Sequence, residues 1–195
     1  MSSQTRRPRT DLFVSVKTQC AIPARNPALR EALVQTTLDP HARSIDFLAS
    51  ADVASEPVAI DAVVVVRDDG RFHLDVVPAR KLRDLDDEGL VQIALRELGL
   101  KALTVTADDI RRQPRSANAR LVWSYHGTPV SIGLRMRIMQ TLADDGPMTF
   151  GRLLKSVRAD RDPSNAVMAM ACADLLELDL LSEPLGPTTT VRSRA

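Results

Sequence analysis

Aromatic side chains make up only 3% of this 195-residue chain: one tryptophan, one tyrosine and four phenylalanines. Proteins that hold single-stranded nucleic acid or sugars stack them on such rings, so both kinds of platform are excluded as the main surface. Cysteine is as scarce. Cys20 and Cys172 lie far apart, and with only His41, His73 and His126 beside them they cannot assemble a zinc cluster. No apolar run approaches the roughly 18 residues of a membrane span. No apolar stretch with a cleavage site follows the basic start MSSQTRRPRT, so the reading is a cytoplasmic protein with no membrane association. Nor does one sign of charge dominate, since 26 basic residues face 25 acidic ones for a net +1. What is present is globular: 44% hydrophobic and 26% charged, in a length suited to one large domain or two small ones.

The near-zero net charge conceals a segregation. Residues 51–100 are acidic and the fifty residues on either side are basic, a layout suited to a phosphate-bearing partner near a divalent ion. Residues 1–10 carry Arg6, Arg7 and Arg9 without apolar periodicity and read as a flexible basic arm. An α/β domain is expected over 11–127, and a second domain over 128–195, after the boundary at Thr128-Pro129.

Within the first domain, Pro27 in a helix's first turn with Asn26 as its cap predicts a short helix of one or two turns. Ile45 to Leu48 reads equally as a short helix or the start of a strand, and Ala49 to Ala54 as loop. The β-branched run Val58 to Val66, broken by one charge at Asp61, predicts a buried strand. Arg67-Asp-Asp-Gly70 is turn chemistry, and Phe72 to Val77 a second strand, so the two form a hairpin that Pro78 ends. A helix over Glu88 to Leu98, capped by Asp86 or Asp87, leads to a third strand at Ala102 to Thr106. Strand, strand, helix, strand is an α/β core with mixed pairing. A further helix is predicted from Ala117 to Tyr125. The second domain reads as helices over Ser131 to Leu142, Phe150 to Val157 and Asp162 to Leu176. Two extended runs around Pro184 to Pro187 follow, which together describe a winged helix-turn-helix.

Charges inside buried strands need a reason, because an unpaired carboxylate there is costly. Asp61 and Asp75 fall on adjacent strands, the arrangement by which Mg²⁺-dependent nucleases hold their metal through oxygen ligands. A lysine two residues after the second acid would orient the attacking water, and here that position is Val77. The alternative is that one acid faces solvent at a strand edge and the other caps a turn. Arg111, Arg112, Arg115 and Arg120 form the densest basic cluster and are the favoured contacts for duplex phosphates. Arg152, Lys155 and Arg158 add to them ahead of the third C-terminal helix, which itself has no arginine. Cys172 lies on a helical apolar stripe and reads as core packing. No Gly-rich phosphate loop, Cys-X-X-Cys or Gly-X-Ser-X-Gly motif is present.

Over residues 40 to 190 the chain resembles TnsA-like transposon endonucleases of the PD-(D/E)XK nuclease fold with a C-terminal winged helix. The resemblance is carried by Ile60-Asp-Ala-Val-Val-Val-Val, by Gly70-Arg-Phe-His-Leu-Asp-Val-Val-Pro-Ala, by Leu103-Thr-Val-Thr-Ala-Asp-Asp-Ile and by Pro114-Arg-Ser-Ala-Asn118. It implies that Asp61 and Asp75 match the family's catalytic, metal-binding acids. Its lysine matches Val77, and its helical glutamate falls on Ser44, ahead of Ile45-Asp46-Phe47. Lys81 and Arg80 are the possible substitutes for the missing amine. The expectation is therefore a DNA-associated protein with a nuclease fold that has lost hydrolysis and acts in binding or nucleoprotein assembly. It would bind double-stranded DNA, with a transposase-type or ATPase protein as partner, and could oligomerise. The alternatives are an active endonuclease with Mg as cofactor, and a protein-interaction adaptor that never touches DNA.

Overall fold

The structure is a computed structural model that describes residues 12–157 and 162–194. The arm expected over residues 1–10, and Arg158, lie outside the described residues. Two short strands, β1 (Leu12–Phe13) and β2 (Ile22–Pro23), pair antiparallel. They lead into helix α1 (Pro27–Thr37), where the Asn26 side chain accepts from the Ala28 amide and so satisfies one of the orphan donors of the first turn. The helix runs three turns, longer than the one or two its sequence suggested.

The main sheet has the order β3-β4-β5-β6. Strand β3 (Ala42–Val53) and β4 (Glu56–Arg67) form a long antiparallel hairpin. Residues 45–48, read equally as a helix or the start of a strand, and residues 49–53, read as loop, thus belong to one strand. Its outer part, Ala49-Ser-Ala-Asp-Val53, alternates but with small residues, without the bulky β-branched or aromatic side chains that would have marked it. Strand β5 (Gly70–Val76) follows a turn at Asp68-Asp69 and pairs antiparallel with β4. A 3-10 turn, Val77–Ala79, and helix α2 (Leu85–Glu97) cross over to β6 (Lys101–Val105), which lies parallel to β5. The cap of α2 is Asp84 rather than Asp86 or Asp87, because its side chain reaches the Asp87 amide while the later acids already lie in the first turn. The mixed sheet bears out the α/β core.

Strand β4 is central, so both its faces are covered and its residues 62–65 are all buried. Val63 and Val65 pack with Leu33 of α1 and with Ile45, Leu74 and Val76. Ile60, Ala62 and Val64 pack on the opposite side with Val91, Ala94 and Leu95 of α2.

Two helices then close the first unit: α3 (Ala107–Arg111), opened by a reciprocal cap between Thr106 and Asp109, and α4 (Arg115–Trp123). The C-terminal part contains α5 (Ile132–Asp145), β7 (Met148–Thr149), α6 (Phe150–Ser156), α7 (Ser164–Cys172), β8 (Leu176–Leu178) and β9 (Thr190–Ser193). Ser131 caps α5 and Thr149 caps α6. The strands form an antiparallel sheet, β7-β9-β8, so this unit is not all-α. The third helix ends at Cys172 and Leu176 belongs to a strand, which moves the hairpin's first strand ahead of Leu180 and leaves its second after Pro184 to Pro187.

Helix α4 belongs to both cores. Val122 is buried among the C-terminal residues, Ala119 among those of the sheet, and Trp123 touches both. Buried Asn118 holds the loop after β8: its Nδ2 donates to the carbonyls of Leu180 and Glu183, and its Oδ1 accepts from the Leu185 amide. A second tie is ionic. The buried Lys17 ammonium lies 3.2 Å from Asp174, which also pairs with Arg194 at 2.7 Å, while Lys17 donates to the Asp39 carbonyl.

Candidate functional site

A cleft of about 1020 Å³ opens beside the sheet, lined by β4, β5, β6 and α2. Its origin is a split in the ladder. Strands β4 and β5 pair only from Arg67↔Gly70 to Val64↔His73, and beyond that point no pairing joins them. Residues from both sides of the sheet, Leu29 and Val63 on one and Val91 and Leu95 on the other, therefore reach the same space.

Both candidate acids line this cleft. Regular pairing would have separated them. Asp75 shares a face with His73, which opposes Val64 on the α2 side, whereas odd-numbered Val63 and Val65 face α1. A bulge intervenes at Ile60–Asp61, because Leu48 pairs with Ala62 and Ser50 with Ala59. Asp61 takes the extra position with φ of 47°, a left-handed conformation that Asp tolerates better than β-branched residues do.

Each acid is held by a cation from one strap, residues 77–84. Arg80 grips Asp75 through both its Nε and Nη2, at 2.8 and 2.5 Å. Lys81 pairs with Asp61. The strap is anchored at either end: Asn26 Nδ2 donates to the Pro78 carbonyl, and Arg83 Nη2 donates to the Ile60 carbonyl that the bulge leaves without a ladder partner. The turn at Pro78 thus folds Arg80 back over the strand it follows. The Arg80 guanidinium, with help from the Thr104 hydroxyl, holds the Asp75 carboxyl below the usual carboxylate range. Burial lowers His73, two residues before it, and keeps it neutral.

The donor set does not fit a resident Mg²⁺. Among the described residues no three His, Cys, Asp or Glu side chains are grouped to hold a metal ion. The carboxylates a hard cation would need already have counter-ions. Val77 is half-exposed at the start of the 3-10 turn and Ser44 pairs with Val66 on β3, and neither lines the cleft. Sequence reasoning missed Glu88, Arg83, Arg96 and Lys101, which do line it. They come from α2 and its flanks, and no local motif links them to the two strands. Five cations, Arg80, Lys81, Arg83, Arg96 and Lys101, face three carboxylates, Asp61, Asp75 and Glu88, so the cleft carries a positive surplus.

The basic cluster over residues 111–120 is divided. Arg112 pairs with Asp109 at 3.1 Å, and Arg120 with Glu31 of α1. Arg111 and Arg115 make no ion pair among the described residues, and the cluster lies on the α1 side, away from the cleft. Arg152 pairs with Asp145 at 3.4 Å, while Lys155 is exposed and unpaired among the described residues. Helix α7, the third helix of the expected winged helix-turn-helix, is buried from Ala166 through Cys172. From Ala166 on the helix is enclosed, and only Ser164 and Asn165 of its first turn keep appreciable exposure. Burial pushes the Cys172 thiol up to about 12, in keeping with a packing role.

No protein-family model matches the chain, and no curated protein is significantly similar to it.

Proposed function

We propose that this chain is a duplex-DNA-associated protein with a nuclease-like α/β core that does not hydrolyse DNA and acts in binding or nucleoprotein assembly. The observation that carries the reading is the pairing of Asp75 with Arg80 and of Asp61 with Lys81. A hydrolytic site of this kind needs free carboxylates to gather divalent cations and charge to stabilise a leaving oxygen. Here the protein's own cations occupy the acids. Their outer sides remain open to solvent, and Arg96 and Lys101 are exposed on the same rim. A cleft with surplus positive charge focuses a polyanion rather than a metal ion.

The C-terminal unit is read as winged-helix-like, from three helices and the β7-β9-β8 sheet. Its enclosed α7 favours protein contact over base reading, so a transposase-type or ATPase partner is assigned to this unit. The deciding experiment mixes purified protein with supercoiled plasmid and Mg²⁺ or Mn²⁺ and runs the same samples in a gel shift. A shift without nicking is expected. Nicking that disappears in Asp75→Ala would overturn the loss of hydrolysis, and neither shift nor nicking would leave the adaptor without DNA contact.

A further inference from the structure

A second cavity, of about 430 Å³, lies between α1 and α4 and shares no lining residue with the charged cleft. Its volume falls in the range of roughly 300–1,000 Å³ typical of small-molecule sites. We propose that it binds a small apolar carboxylate. The walls are Val34 on α1 and Ala119 and Trp123 on α4, an apolar surface. Polar residues share the lining, and two of their side chains are buried. Gln35 is 7% exposed and its Nε2 donates to the Ile110 carbonyl at 2.7 Å, which leaves Oε1 without a partner among the described residues. Ser116 is 3% exposed, and its hydroxyl likewise has no partner among them. Neither atom is sealed off, since Arg67 Nε is the one fully enclosed side-chain polar atom without a partner among the described residues. Gln35 and Ser116 both line this cavity. Polar atoms held so deep, with hydrogen bonds unmade, are the few convergent groups that orient a ligand in an otherwise apolar site.

The charge at the mouth selects the ligand's own charge. Arg120 and Glu31 neutralise each other across the two helices, while Arg30 is exposed beside them and makes no ion pair among the described residues. One cation is therefore left over, placed for a carboxylate whose apolar body lies on Val34, Ala119 and the edge of Trp123. The ring of Trp123 has His126 stacked on it at 4.6 Å and Phe13 at 5.4 Å, so its faces are taken and the ligand meets an edge.

Trp123 is the only tryptophan in the chain, so its fluorescence reads this cavity directly. The probes are phenylacetate, the neutral phenylacetamide and the cationic phenethylamine, titrated into full-length protein. Phenylacetate should give a saturable change, phenylacetamide the same change at about tenfold higher concentration, and phenethylamine none. Arg30→Gln, at an exposed position that leaves folding intact, should bring phenylacetate down to the level of the amide. Ser116→Ala should weaken acid and amide alike. Absence of a saturable response to phenylacetate, or a response that Arg30→Gln leaves unchanged, would overturn the proposal.

Discussion

The two faces of the four-stranded sheet have opposite fates. On one, α1 and the N-terminal strands close a dry layer in which Phe13, Ile22, Leu33, Ile45 and Val65 are all buried. On the other, α2 lies over β3 and β4 and leaves Ala102 and Thr104 of β6 exposed and His73 and Asp75 of β5 half-buried. Dimensions explain the difference. Four strands about 4.8 Å apart make a sheet roughly 15 Å wide, and a single helix about 10 Å across cannot cover it. That uncovered remainder and the split between β4 and β5 together make the cleft, and the bulge at Asp61 and the strap over residues 77–84 bring charge into it. A binding surface arises here because a layer is left incomplete, while stability is supplied by the face that is complete.

This contrast breaks most readily by cavity formation. Ile45→Ala, in the closed layer, is expected to cost about 2–5 kcal/mol in a urea titration. Ala102→Ser, on the exposed β6 surface, should stay within about 0.5 kcal/mol of the parent. Comparable losses at the two sites would mean that the open face is packed after all.

How far the sequence foretells this contrast varies with the element. The β-branched run Val63 to Val66 marks the central strand, and Asn26, Ser131 and Thr149 mark their helix starts, because these signals are local. The outer half of β3 has no such signal. Its residues are small, and its turn uses Ala54 and Ser55 at positive φ rather than the glycine that would announce it. Asp61, Asp75, Arg80 and Lys81 were all legible as candidates, and the structure lines one cleft with them. Their convergence on one pocket is what adjacent strands led one to expect, but the route was not legible, since strand parity places the two acids on opposite faces until the bulge at Asp61 corrects it. The burial of α7 was missed for a related reason: an Ala- and Met-rich helix looks alike whether it packs on one neighbour or on several.

Next in size is the effect on DNA. If the open face holds the duplex, Arg96→Ala combined with Lys101→Ala should weaken binding to all sequences alike. It should also flatten the log-log salt slope by about one to two units, since each neutralised phosphate contributes about 0.9. Arg111→Ala with Arg115→Ala, on the side of the closed face, should change the slope by less. The reverse ranking, measured by gel shift across a salt series, would move the duplex to the α1 side and detach the cleft from DNA binding.

The smallest expected effect is on acid stability, and it separates two neighbours on the open face. His73 is held below its ordinary 6.5 first by burial, with Arg83 and Arg80 adding to the effect and Asp75 opposing it. The unfolded chain therefore takes up this proton more readily than the folded one, so His73's contribution is complete above pH 6.5 and declines as pH falls through its lowered folded value. Asp75 is lowered by Arg80 from 3.8, so its contribution is complete above that value and is lost only in stronger acid. Urea midpoints followed from neutral pH downward should therefore fall in two stages. His73→Gln should remove the first and keep the second, while Arg80→Gln should shrink the second. A single decline that neither substitution alters would show that the cleft's titrating groups have no part in acid unfolding.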